Sequence, residues 1–168
     1  MILADGEDVR DLVPMDDRIR LVHLADARSI GEKRNFGCGI ASGDVICHWD
    51  DDDWSEPERL ADQVDRLGDY AVSGYHSMRF SDGVGWWKYE GTKGYALGTS
   101  LCYRRSWWQA HPFEAKNVGE DNAFVSVASS AGRLISVDAG NMMYATIHTG
   151  NTSPRMMGDN WKPITEQP

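Results

Sequence analysis

Apolar positions along this chain come in short runs whose period changes from segment to segment. "ILA" at Ile2–Ala4 is apolar and stops at "DG", which reads as a strand running into a turn. "RIRLVHL", residues 18–24, alternates apolar and polar positions, the period of a second strand. In "SIGEKRNFGCGIASG", Ser29 and Glu32 form a capping box that predicts a helix, and Gly43 suits its stop. "DVICHW" is a continuous, buried-type strand. A second helix is predicted at once, capped by Ser55, with Pro57 in its first turn and Glu58 completing a second capping box. Leu60, Val64 and Leu67 are expected to line its buried face.

Strands dominate further on. "YAVSGYHSMRF" and "GWWKYEG" flank an "SDG" turn, and "LGTSLCYRR" leads into a short helix near Trp107. "GEDNAFVSVASSAG" reads as a helix, followed by strands near residues 134–137 and 143–148. With no repeat or linker, residues 1–168 are expected to form a single domain. Strands alternating with helices in the first half imply parallel βαβ units, hence an α/β fold.

Composition narrows the partners. A net charge of −9 argues against a general nucleic-acid binder, and no run is long or apolar enough for a membrane span. Three cysteines without C-x-x-C spacing suggest reduced thiols, no structural zinc and a cytoplasmic setting. The seven tryptophans fit either core packing or carbohydrate stacking.

One stretch resists a bland reading. In "VICHWDDDDWSEPERL" a buried strand runs into four consecutive aspartates. Such neighbours repel, and each raises the cost of ionising the next. A solvated surface run is the ordinary explanation for loop carboxylates. An EF-hand fails, because counting from Asp50 the sixth and twelfth positions hold Ser55 and Ala61 instead of Gly and Glu. An aspartyl-nucleophile phosphohydrolase would want a small or hydroxyl residue where Trp54 stands. A D-x-D clamp fits: Asp50 and Asp52, aimed from a strand's carboxyl end, can share Mg²⁺ or Mn²⁺ with diphosphate oxygens.

Taken together, "ADG", "GEKRN", "HWDDDDW", "GTSLCYRR", "VGEDNAF" and "IHTGNTSP" resemble, in that order, a family 2 glycosyltransferase of the GT-A fold. The resemblance implies a mixed sheet flanked by helices and an inverting, divalent-metal-dependent transfer. The sugar would pass from a nucleotide-diphosphate donor, of the uridine diphosphate type, to a carbohydrate or other hydroxyl acceptor. It also implies roles. Asp5 would meet the nucleoside, and Lys33, Arg34 and Asn35 would form a basic patch beside the nucleotide. Asp50 and Asp52 would hold the cation, Asp50 also reaching the ribose, and Asp53 would hold the sugar or steady the loop. Gly98 and Thr99 would line the donor sugar. Asp121 would be the general base with Glu120 beside it, and His148 would serve the metal or the diphosphate.

The family normally begins with one more strand and helix before the "ADG" turn, so this chain looks N-terminally truncated. Either the "ILA" strand pairs directly with "VICHW", which is the favoured expectation, or a strand is borrowed from another molecule. Weak donor affinity is expected in both cases. A catalytically impaired module that binds nucleotide sugar and metal, or a fragment of a larger transferase, is the alternative. A nucleotidyltransferase is disfavoured, because no Gly-rich phosphate loop is present.

Overall fold

The computed structural model describes residues 1–6, 8–152 and 158–165. Its strands are β1 (Ile2–Ala4), β2 (Leu21–His23), β3 (Val45–Cys47), β4 (Trp54–Ser55), β5 (Val72–Ser81), β6 (Trp86–Glu90), β7 (Cys102–Arg104), β8 (Leu134–Asp138), β9 (Met143–Thr146) and β10 (Trp161–Ile164). The helices are α1 (Ile30–Ile40), α2 (Arg59–Leu67), α3 (Arg105–Ala110) and α4 (Glu120–Ser130), and a 3-10 turn at Gly98–Ser100 precedes β7.

The start of α1 follows its sequence. Ser29 accepts from the Glu32 N–H, and the Glu32 carboxylate accepts from the Ser29 N–H. The helix ends earlier than Gly43 suggests, at Ala41, whose extended backbone breaks the spiral. The second helix departs further from expectation. Ser55 lies in β4 opposite Met143, so it is not available as a cap, and Glu58 occupies the cap position without a side-chain bond. Leu60 and Val64 are exposed, and the buried face is Arg59, Gln63 and Leu67. Two polar side chains displace two aliphatic ones because carbonyls in the interior need their donors.

β5 organises the main sheet. Its first half pairs with antiparallel β7 and parallel β8, its second half with antiparallel β6 and parallel β9. β3 adds to β7, β4 to β9 and β10 to β6. β1 and β2 form a parallel pair of their own. Direct pairing of "ILA" with "VICHW" is therefore not formed, and β2, α1 and β3 close no shared ladder. Leu3 of β1 seats against Gly37 of α1, so that pair is held by the helix instead of by β3.

Two apolar clusters pack along the sheet. Cys38, Leu101, Tyr103, Phe113, Phe124 and Val125 pack between the sheet and helices α1 and α4. Tyr75, Met78, Phe80, Met143 and Ala145 pack further along β5, against Trp161. All three cysteines are free thiols. Among the described residues no helix is long and apolar enough to cross a membrane.

Candidate active site

The acid loop starts from a braced strand end. The His48 N–H donates to Leu101 O at 2.7 Å, carrying the β3 line one residue further. The buried His48 ring donates from Nδ1 to Gly98 O (2.8 Å) and accepts at Nε2 from the Tyr103 hydroxyl (3.0 Å), whose oxygen meets Cys38 Sγ at 3.1 Å. This tautomer is the one that satisfies both partners. Burial, with the Arg34 charge adding to it, holds the His48 pKa well below its usual value and keeps the ring neutral.

Arg59 staples the same region from below. Fully buried, it donates to His48 O (2.9 Å), Thr99 O (3.1 Å), Ser55 Oγ (3.0 Å) and Gln63 Oε1 (3.1 Å). One guanidinium thus ties the loop's beginning, the Gly98–Ser100 turn and β4 to α2. Its five fixed donors suit that task better than a lysine would.

Asp50, Asp52 and Asp53 each offer an oxygen within 4.8 Å of the others, whereas Asp51 lies outside the group. Asp53 Oδ2 accepts the Thr99 hydroxyl at 2.5 Å, and its Oδ1 accepts the Thr146 N–H at 3.0 Å. Burial nevertheless pushes its pKa up to about 6, the Asp50 and Asp52 charges reinforcing the shift against those two bonds. Asp52 Oδ2 meets His148 Nε2 at 2.9 Å and the Asn151 amide at 3.2 Å. Gly150 donates to His148 Nδ1, so the ring's proton sits on Nε2 and points at Asp52. Among the described residues no lysine or arginine forms a salt bridge with Asp50–Asp53. Clustered carboxylate oxygens, left with net negative charge, match the hard oxygen-ligand preference of Mg²⁺ or Mn²⁺.

Across the Gly98–Ser100 turn stands the start of α4. Gly119 precedes it with φ +74°, a left-handed value that glycine adopts without strain. Glu120 is buried and pairs with Arg34, whose guanidinium lies 5.6 Å from the Phe113 ring. Burial raises the Glu120 pKa; Arg34 opposes the rise and Asp121 adds to it. Asp121 faces the other way. A Cβ at Gly98 would come within 2.2 Å of Asp121 Oδ2, so the carboxylate rests on the glycine backbone, one residue from the Thr99–Asp53 bond. Any larger residue at 98 would displace it.

The expected nucleotide-side residues are brought close but are engaged with one another. Lys33 reaches Asp5 at 3.1 Å, and Arg34 reaches Glu120. Burial works against Asp5 ionisation, but the Lys33 hydrogen bond, the Arg28 N–H and the Lys33 charge hold its pKa below the usual carboxylate value. Asn35 departs from the basic patch. Its amide donates to Phe113 O and accepts from the Phe113 N–H and the Trp108 indole, clamping the segment that leads to α4. Ser153 and Pro154, the end of the "IHTGNTSP" stretch, lie outside the described residues. Arg59, His48, Thr146 and Asn151 were not singled out from the sequence. Only Arg59 left a signal there, through its i, i+4 and i+8 spacing with Gln63 and Leu67.

Comparisons with known proteins bear on the family and the fold. The sequence model of glycosyl transferase family 2 matches residues 5–139. Among curated proteins no relative matches the chain. Solved structures do. S. aureus TarS 1–349 in complex with UDP-GlcNAc superposes with a TM-score of 0.62 at 20% identity, over 79% of this chain and 43% of that one. The same protein in complex with UDP gives 0.59 at 20% identity, over 76% and 43%. A mannosyltransferase, PcManGT from Pyrobaculum calidifontis, in complex with GDP-Man and Mn²⁺, gives 0.54 at 14% identity, over 76% and 39%. The chain spans less than half the length of these relatives. What they share with it is the fold, the helix-flanked mixed sheet of the GT-A type.

Proposed function

Because the chain belongs to glycosyl transferase family 2, we propose that it transfers a sugar from a nucleotide-diphosphate sugar to an acceptor hydroxyl, with inversion and with a divalent cation. One observation carries the reading. Asp121 and the Asp50–Asp52–Asp53 group flank the same Gly98–Thr99 turn, the arrangement needed to activate an acceptor on one side and release a diphosphate on the other.

Asp50 and Asp52 would hold the cation, with His148 orienting Asp52 through its Nε2 proton. Mn²⁺ or Mg²⁺ bound there would supply the positive charge that a departing diphosphate requires. Asp53, fixed by Thr99 and Thr146, braces the loop. The acceptor hydroxyl gives its proton to Asp121 as its oxygen bonds the anomeric carbon, and the bond to the diphosphate breaks on the opposite face. Glu120 holds Arg34 and is a positioning residue. Asp5 and Lys33 stand on the nucleoside side. A uridine donor is favoured because TarS was solved with UDP and UDP-GlcNAc, and Mn²⁺ because PcManGT was solved with it.

The separation of the β1–β2 pair from β3 favours a second reading, a nucleotide-sugar-binding module with weak donor affinity. Calorimetric titration of UDP with and without Mn²⁺, alongside hydrolysis of UDP-sugars, tests both. Metal-dependent binding with turnover is expected, and binding without turnover would favour the module. Absence of UDP binding in Mn²⁺ would overturn the uridine-donor assignment.

A further inference from the structure

Two cysteines face each other across β3 and β7, where register sets Cys47 opposite Cys102. Asp44 O accepts the Arg105 N–H at 2.8 Å, and Leu101 O accepts the His48 N–H at 2.7 Å. Hydrogen-bonded and non-hydrogen-bonded pairs alternate along an antiparallel ladder. Counting from those two bonds, Cys47 and Cys102 form a non-hydrogen-bonded pair, the kind in which facing side chains come closest. Such pairs sit about 4.5 Å apart at Cα, at the short end of the range that a disulfide spans. The two Sγ atoms lie 2.9 Å apart.

The surroundings single out this pair among the three thiols. Ile46 and Tyr103, one residue along each strand, join the apolar cluster beside α1 and α4. Alternation therefore turns Cys47 and Cys102 to the opposite side of the sheet, where α2 packs. Cys38 belongs to the first side, buried, with its Sγ 3.1 Å from the Tyr103 hydroxyl. Cys47 is half-buried on β3, which ends the ladder, whereas Cys102 is fully buried. The hydrogen bond from Cys102 holds the Cys47 pKa below the usual thiol value against burial, and the Arg59 charge adds to the effect. The same bond, with burial, raises the pKa of Cys102. Cys47 is thus the more exposed and more acidic member, and Cys102 stands ready behind it.

We infer that Cys47 and Cys102 are an oxidisable dithiol that a peroxide converts into a cross-strand disulfide, a reversible covalent staple at the root of the acid loop. The Cys47 thiolate attacks one peroxide oxygen and becomes a sulfenic acid, and with a proton the other oxygen leaves as water. The Cys102 sulfur then attacks the Cys47 sulfur, the S–O bond breaks, and a second water carries off the hydroxyl with the Cys102 proton. The two thiols lose two electrons and the peroxide gains them. The inference stands whether or not the chain transfers sugar. One residue beyond the staple, the His48 N–H already bonds Leu101 O, and the four aspartates follow within the same loop. The tie joins positions 55 apart, a long loop whose closure restricts the unfolded chain more than a short one would.

The test treats the unmodified chain with hydrogen peroxide, blocks remaining thiols with iodoacetamide, and maps peptides by mass spectrometry without reduction. A peptide linking Cys47 to Cys102, two hydrogens lighter than its parts, is expected, with Cys38 recovered as the alkylated thiol. The oxidised chain should melt several degrees higher, and dithiothreitol should abolish both the link and the rise. Cys47→Ser, a change at the half-buried position, should show neither link nor rise under the same treatment. Recovery of both thiols unreacted overturns the inference, as does sulfinic acid at Cys47 without a link. A link to Cys38 or between two chains overturns it too, and so does a linked chain that melts no higher than the reduced one.

Discussion

The two ends of the candidate site both gather charge, and they dispose of it differently. Around α1 the charges cancel in pairs, Asp5 with Lys33 and Glu120 with Arg34. In the acid loop Asp50, Asp52 and Asp53 come together, and the groups that touch them are mostly neutral: a threonine hydroxyl, a backbone N–H, an amide and a histidine. A paired region is stable by itself and asks for little. A cluster of like charges without direct ion-pair partners, with only the buried Arg59 charge nearby, depends on the fold to enforce it and gains from a cation. The contrast therefore separates charges that the fold pairs internally from charges that it gathers without pairing.

The largest test of this division is Asp121→Asn. It should leave UDP affinity in Mn²⁺ near normal and lower sugar transfer by roughly two to four decades, the usual worth of a positioned base. Near-normal turnover in single-turnover assays would take the base role away from Asp121.

Arg59→Leu comes next. It strips donors from two buried carbonyls, and denaturant unfolding should show a loss of about 3 kcal/mol or more. An unchanged midpoint would mean that the loop does not depend on its staple.

Asp52→Ala should weaken Mn²⁺-dependent UDP binding by roughly 10- to 100-fold while leaving the melting temperature almost unchanged or raised, because it also removes a repulsion. A fall in melting temperature with intact affinity would reverse the division and make the loop a structural element.

The smallest effect is a pH slope. His48 is buried and neutral with its folded pKa depressed, so its contribution is complete above the unfolded value of about 6.5 and is lost as pH falls below it. Glu120, raised by burial, works oppositely, favouring the fold at lower pH between its ordinary value and its folded one. Urea melts of wild type and His48→Gln from pH 7 to pH 5 isolate the histidine. The wild type should lose up to about 1.4 kcal/mol per pH unit more than the variant. Parallel curves would show that the ring can charge in place.

Much of the fold was legible in the sequence because it is written in local pattern. The α1 capping box, β3 and the start of α4 lie where period, caps and glycines put them. What was not legible depends on partners far away in the chain. Leu60 and Val64 look like a buried stripe, but the interior face of α2 is chosen by the carbonyls of His48 and Thr99, which the helix pattern does not encode. β4 is two residues long and exists only through β9. β10 follows "GDN" and carries a proline, so its period is weak, and it pairs with β6 at the sheet edge. The acid cluster itself was legible from its place after a buried strand. Its braces Thr146 and Asn151 were not, since nothing in a linear spacing announces a bond over 93 or 99 residues, and Arg59 showed only as part of a helical spacing with Gln63 and Leu67.

Those braces bear on how the molecule comes into being. The bonds that order the acid loop span 93, 96 and 99 residues, joining Asp53 to Thr146, Asp52 to His148 and Asp52 to Asn151. Contacts of such separation carry a large loop-closure cost and are made late in folding. During synthesis from the ribosome the four aspartates emerge long before the residues that restrain them, so the nascent chain displays a mobile acidic patch until β9 docks. Pulse-labelled hydrogen exchange should find the Thr146 amide protected after those of the β5–β6 hairpin, whose turn closes over only a few residues.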